Sequence, residues 1–165
     1  MSEYVPFDLE AYRERVRNSP CFICNIVQSR DASHHVIYRD DRAIVFLNKY
    51  PTLYGYTLVA PVEHREEVTG DFSVEEYVDL QRVVYRAAES LREEVPTERV
   101  YILSLGSRQG NSHVHWHVAA LPPGVPYEEQ QLEALMLGKG YLKTPEGEMA
   151  ELARRLGKRM MEVRE

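Results

Sequence analysis

Three histidines stand at a spacing of two in His113-Val114-His115-Trp116-His117, half of the six in the chain. On a strand, alternate residues share a face, so this spacing would send the three imidazoles to one side. Val114, Trp116 and Val118 would face the other side, where they suit a core. Imidazole is a poor core filler, because its nitrogens need partners when buried. A shared face of three therefore points to chemistry, of two possible kinds. The first is a metal site. His113 and His117 would lie about 13 Å apart along a strand. An ion with nitrogen bonds of about 2 Å takes two neighbouring imidazoles easily and all three hardly. The second is nucleophilic catalysis. A neutral imidazole attacks phosphorus to give a covalent phosphohistidine, and another histidine orients it or protonates the leaving oxygen.

Other residues could assist. The loop Gly106-Ser107-Arg108-Gln109-Gly110-Asn111-Ser112 leads into the histidines. Its small and amide residues could aim donors at phosphate oxygens, with Arg108 adding positive charge. Cys21-x-x-Cys24 reads as half of a structural zinc site, as a redox dithiol, or as two small buried residues. A zinc reading needs two more ligands from His34, His35, His64 and the clustered three. His34-His35 reads as surface. Asn48 could bond a sugar hydroxyl or shape the turn before Pro51.

These groups need elements to position them. Phe7, Leu9, Tyr12 and Val16 recur helically over residues 7–17, stopped by Asn18-Ser19-Pro20. Strand-like runs follow at Val36–Arg39, Ala43–Leu47 and Tyr56–Ala60. Their short connections favour antiparallel neighbours. Ser73-Val74-Glu75-Glu76 fits a capping box that opens a long helix ending at Pro96. Val100–Leu105 and His113–Ala120 read as two more strands. Helices are expected near 127–137 and 146–163, the second with Met149, Leu152, Leu156, Met160 and Val163 along one side. Strands, a helix, then strands suggests α+β.

The chain has 165 residues with 44% hydrophobic and 28% charged, so it can bury a core and is not a disordered class. No linker or repeat divides it, so residues 1–165 are expected to form a single domain. Twenty basic against 26 acidic residues give a net charge of −6, which disfavours duplex nucleic acid. No apolar run approaches the ~20 residues that span a membrane. Two cysteines make no disulfide framework, and Met1-Ser2-Glu3-Tyr4 does not open a secretory signal. The expectation is a soluble cytoplasmic protein.

Taken together, the residues resemble the histidine triad (HIT) family of nucleotide-binding hydrolases and transferases. The family pattern His-x-His-x-His followed by apolar residues stands here as His113 to Ala119. The resemblance extends to Cys21-Phe22-Ile23-Cys24-Asn25-Ile26-Val27 and to Tyr38-Arg39-Asp40-Asp41-Arg42-Ala43. It also takes in Phe46-Leu47-Asn48 through Pro51, then Gly55, Thr57-Leu58-Val59 and Pro61 to His64. Roughly residues 20–123 are covered, with a helical tail over about 126–165.

The resemblance implies a HIT-like fold: a five-stranded antiparallel sheet, one long helix and peripheral helices, often paired into a dimer. It implies that His115 attacks the α-phosphorus of a nucleotide, that a nucleotidyl-histidine forms, and that water or another acceptor releases it. His117 would bond phosphate or leaving-group oxygens. Asn48 would hold the ribose, and Ser107 and Gln109 would belong to the phosphate loop. Zinc would sit on Cys21, Cys24, His64 and His113 as a structural ion. The substrate would be an adenine-containing dinucleoside polyphosphate or phosphoramidate. Rival functions are a nucleotide-binding sensor or scaffold with little turnover, and a zinc hydrolase whose metal activates water. Arg108, Asn111 and Trp116 depart from the family pattern and bear on leaving-group specificity.

Overall fold

The computed structural model describes residues 3–108, 110–145 and 147–163. Its centre is an antiparallel sheet of five strands: β2 (Val36–Arg39), β3 (Ala43–Leu47), β4 (Thr57–Pro61), β5 (Arg99–Leu103) and β6 (Trp116–Leu121), in the order β2-β3-β4-β6-β5. The fold class is α+β, as expected. β3 and β4 are buried along their whole length, because helices cover both faces of the sheet.

On one face lies α3 (Val74–Glu94). Its capping box forms: Ser73 accepts from the Glu76 amide, and the Glu76 carboxylate accepts from the Ser73 amide at 2.8 Å. Leu80, Val84, Ala87 and Leu91 then pack on Val45, Val59, Trp116 and Val118. α5 (Glu148–Glu162) joins this layer through Leu152, Leu156 and Met160 and covers β2. The expected helix over 146–163 thus forms two residues later, with most of its expected stripe buried.

The other face is covered by a short helix, α2 (Phe22–Val27), which buries Ile23 and Ile26 against Ile44, Phe46, Leu58, Ala60 and Ala119. Beside it stands α1 (Leu9–Arg17), which buries none of its residues fully. The N-terminal segment meets the segment before α5 in a second sheet, where β1 (Glu3–Val5) pairs antiparallel with β7 (Tyr141–Lys143). The sequence reading did not anticipate that pairing. A ring cluster of Phe7, Tyr12, Tyr50 and Tyr141, with centroids 5.0–5.9 Å apart, fixes it to the loop after β3.

Three expectations need correction. The run His113–Ala120 is strand only from Trp116 onward. The ladder with β4 stops at Val59 opposite Trp116. Pro61 has no N–H to extend it, and its carbonyl accepts from the His113 ring at 2.8 Å while Val114 donates to the Arg65 carbonyl. The expected helix near 127–137 is broken into a 3₁₀ turn (Tyr127–Glu129), α4 (Leu132–Leu135) and a second 3₁₀ turn. Gln131 interrupts it, with a positive φ of 57° and its amide spent on the Tyr101 hydroxyl. His34 is not surface: its side chain is only 8% exposed and is turned toward Phe22 and Phe46. Among the described residues no helix is long and apolar enough to cross a membrane.

Candidate functional site

The break before β6 decides what each histidine does. Val114, Trp116 and Val118 enter the α3 face of the sheet, as the alternation predicts. His113, His115 and His117 lie on the α2 side, but His113 is bent away from the other two.

His113 is fully buried. Its Nε2 lies 2.8 Å from the Pro61 carbonyl, and a carbonyl can only accept. The proton is therefore on Nε2 and the lone pair on Nδ1. That Nδ1 lies 3.4 Å from Cys21 Sγ and 3.6 Å from Cys24 Sγ. His64 follows the same logic. Its Nε2 donates to Glu66 Oε1 at 3.0 Å, and its Nδ1 stands 3.4 Å from Cys24 Sγ. Cys21 caps α2 and accepts from the Cys24 amide, which brings both sulfurs to the same end of the helix.

The ligand atoms of Cys21, Cys24, His64 and His113 all lie within 4.8 Å of one another, so the four can hold a metal ion. Tetrahedral bonds of about 2.0–2.3 Å separate ligands by about 3.3–3.8 Å, which matches the sulfur–nitrogen distances here. Both imidazoles are also oriented by acceptors on their far nitrogens, as metal ligands are. Burial and the neighbouring Cys21 push the Cys24 thiol up to about 11. A bound cation reverses that sign by stabilising thiolate.

His115 and His117 form the second half of the site. Their rings lie 4.9 Å apart. His115 Nδ1 is 2.7 Å from the His113 carbonyl, so Nδ1 carries the proton and Nε2 keeps the lone pair. His117 Nδ1 faces the Tyr56 hydroxyl at 3.0 Å. Burial pushes His115 below its ordinary value and, with the neighbouring His115, pushes His117 down to about 4. Both rings are neutral at pH 7, the state a nucleophilic imidazole requires.

These two histidines sit in a cleft of about 780 Å³. Asn48 lines it, with Oδ1 accepting from the Tyr50 amide at 3.0 Å, so it also shapes its own turn. Of the loop before the histidines, Gly110, Asn111 and Ser112 line the cleft and Arg108 reaches it while paired with Glu67. Ser107 is exposed and is not among the lining residues. Gln109 lies outside the described residues.

The sequence reading missed several lining residues. Phe22 approaches the His115 ring at 6.3 Å between centroids, and His34 sits beside Phe22 at 5.9 Å. Tyr12, Arg15 and Arg17 come from α1, and Lys49 and Tyr50 from the loop after β3. Their distance along the chain from the histidines hid them; the only signal was the basic end of the first helix.

Comparison with known proteins agrees with this architecture. Residues 29–123 match the HIT domain family. An uncharacterized HIT-like protein of Saccharolobus solfataricus is 31% identical over 101 residues, covering 59% of this chain and 71% of that protein. One of Mycoplasma genitalium is 31% identical over 113 residues, covering 66% and 77%. Among solved structures, a hypothetical histidine triad nucleotide-binding protein of Sulfolobus tokodaii superposes with a TM-score of 0.67 at 21% identity, covering 86% of this chain and 93% of that one. A zinc-bound histidine triad family protein of Mycobacterium smegmatis superposes at 0.65 with 25% identity, covering 86% and 94%. With over half of its length matched, a shared fold, and two of the three clustered histidines at the cleft, the chain belongs to the HIT domain family.

Proposed function

We propose that the protein is a hydrolase or transferase of nucleoside phosphate derivatives that works through a nucleotidyl intermediate on His115. The observation that carries this reading is the hydrogen bond from His115 Nδ1 to the His113 carbonyl, which leaves Nε2 as the nucleophile. Nε2 forms a bond to the α-phosphorus. The bond from phosphorus to the leaving oxygen or nitrogen breaks, and its electron pair departs with that atom. The Nδ1 proton stays in place, so the charge that develops on the ring is held by the carbonyl. His117, neutral and adjacent, hydrogen-bonds the phosphate or the leaving group. Water then attacks phosphorus and gives up a proton to solvent, the N–P bond breaks, and Nε2 recovers its lone pair as the nucleoside monophosphate leaves. An acceptor other than water makes the same intermediate a transferase's.

Phe22, His34 and Leu58 offer a partly apolar surface for a base, and Asn48 Nδ2 remains for a ribose hydroxyl. Ser107 and Gln109 take the phosphate-loop role in this reading, and Ser112 lines the cleft with His115 and His117. The adenine preference rests on the family resemblance. Cys21, Cys24, His64 and His113 hold zinc in this reading, supported by their geometry and by the zinc-bound mycobacterial relative. Four protein ligands complete a tetrahedral shell, so zinc when bound supplies a cross-link between α2, the end of β4 and the triad segment. That favours a structural ion over a water-activating one.

We further propose one domain, a cytoplasmic location where thiols stay reduced for the metal, and a homodimer through the β5 edge. That strand ends the sheet, with Ile102 50% exposed on it and Leu105 68% exposed just beyond it.

The test is mass spectrometry of the intact protein quenched during turnover of diadenosine tetraphosphate and, in parallel, an adenosine phosphoramidate. One added adenylyl group, absent in His115→Ala, is the expected result. Near-normal turnover by a folded His115→Ala protein would remove the mechanism. Nucleotide binding with neither adduct nor product would favour a sensor or scaffold.

A further inference from the structure

We infer that α1 carries a subsite for an extended anionic leaving group. Arg15 and Arg17 bind the phosphates beyond the one attacked, so the chain prefers nucleoside polyphosphates to nucleotides whose leaving group is uncharged. This rests on the proposed function and narrows its substrate class.

Arg15, Val16 and Arg17 line the same cleft as His115 and His117. Their place there is built rather than incidental. Gly110 has a φ of 136°, and a Cβ on it would stand 2.6 Å from Val16 Cγ1, so the loop before the triad touches α1 as closely as backbone allows. Asn111 Nδ2 donates to the Tyr12 hydroxyl at 3.4 Å. Tyr12 in turn packs against Phe7 and Tyr50, and Phe7 against Tyr141 of β7. The N-terminal segment and β7 thus hold α1 against the loop that leads to the nucleophile.

The carbonyl end of a helix is electronegative and would by itself repel a phosphate. Here those carbonyls are already capped. Asn18 donates its amide at 3.3 Å and its Nδ2 at 3.0 Å to the Glu14 carbonyl, and Ser19 Oγ donates to the Arg15 carbonyl at 2.6 Å. Arg15 and Arg17 are not needed as caps. Nor do they neutralise acids: no ion pair of theirs occurs among the described residues, whereas Arg42, Arg65, Arg108, Arg155 and Arg159 each meet a carboxylate. Asp31, the one acidic side chain among the described residues that line the cleft, is already bonded to Ser33 and His34. Arg15 stands over the Tyr12 ring at 5.8 Å, a contact that positions its guanidinium without cancelling its charge. In a chain of net charge −6, two guanidinium groups that meet no carboxylate among the described residues, with Lys49 beside them, therefore make this wall positive. Guanidinium matches phosphate oxygens in charge and geometry.

The test compares binding of adenosine monophosphate and α,β-methylene-ATP by calorimetry. The analogue should bind about tenfold tighter or more, and that margin should shrink as salt rises from about 0.05 to about 0.5 M. In the double variant Arg15→Ala/Arg17→Ala the two affinities should converge to within about twofold while adenosine monophosphate binding is kept. Arg15→Lys/Arg17→Lys should retain most of the margin. In turnover, the alanine variant should lose kcat/KM for diadenosine tetraphosphate and keep it for the phosphoramidate. A margin that survives in the alanine variant, or an equal loss for both ligands, overturns the subsite and leaves the functional reading standing. Binding of neither ligand by the unaltered protein removes that reading and the subsite together.

Discussion

His115 Nδ1 lies 2.7 Å from the backbone carbonyl oxygen of His113, the residue whose ring faces the two cysteine sulfurs. One residue thus joins the two halves of the site. Its ring belongs to the metal cluster, and its backbone sets the tautomer of His115. Moving the His113 ring would move that carbonyl, so the metal site and the His115 imidazole are mechanically linked through two peptide units.

Metal removal should therefore cost stability first. We expect one zinc per chain by metal analysis. A chelator should lower Tm on the order of 10 °C, through loss of binding energy that exists only in the folded state. Cys24→Ser should show the lowered Tm and no further response to the chelator. An unchanged Tm on complete metal loss, with activity gone, would assign the ion to catalysis instead.

Tyr56→Phe removes the hydroxyl 3.0 Å from His117 Nδ1 and little else. Burial raises the Tyr56 pKa, so the hydroxyl stays protonated and holds the ring throughout the working pH range. The expected effect is a fall in kcat of about three- to tenfold, the worth of one such hydrogen bond, with KM little changed. Steady-state kinetics beside urea denaturation separates the cases. A loss of stability with unaltered kcat would make Tyr56 purely a packing residue.

The buried histidines predict a pH dependence of stability. His117 is pushed down to about 4 in the folded protein, from an ordinary value of 6.5 that holds in the unfolded chain. As pH falls below 6.5 the unfolded state takes up the proton first, so stability is fully present above 6.5 and is lost between 6.5 and 4. His113, also pushed down to about 4 by burial, adds to the same window in metal-free protein. Melting curves across this range should show Tm falling toward acid, with a shallower slope in His117→Asn. Equal slopes in the two proteins would contradict the assignment.

Gly157 tests the docking of α5. A glycine in the middle of a helix usually costs about 1 kcal/mol relative to alanine. Here a Cβ would stand 2.6 Å from the Ile37 carbonyl oxygen, because the helix backbone lies directly on β2. Gly157→Ala should therefore destabilise, by about 1–3 kcal/mol, since the strand must shift to admit the methyl. Chemical denaturation measures this, and a stabilised variant would show that α5 can lift from the strand without cost.

Much of this protein is legible in the chain itself, wherever the determinant is local. The Ser73–Glu76 box sets the start of α3, because capping depends on residues three apart. The alternation of Val114, Trp116 and Val118 against the histidines gives the two faces of the sheet, because side chains on extended backbone alternate whatever they pack against. The types of Cys21, Cys24, His64, His113, His115 and His117 set which chemistries are open.

What only the tertiary structure decided is where long-range contacts compete with local pattern. Pro61 and Arg65 draw His113 out of the strand and so divide three equivalent histidines into one metal ligand and two cleft residues. The pairing of β1 with β7, 138 or so residues apart in a chain of 165, carries α1 to the cleft. Packing against Phe22 and Phe46 buries His34, which its polar neighbours had suggested was surface. The partners of these contacts lie from 12 residues apart, for His34 with Phe22 and with Phe46, to 138 apart, for Tyr4 with Leu142 at the centre of the β1–β7 pairing. Each depends on loop closures whose entropy is repaid only when the whole sheet assembles.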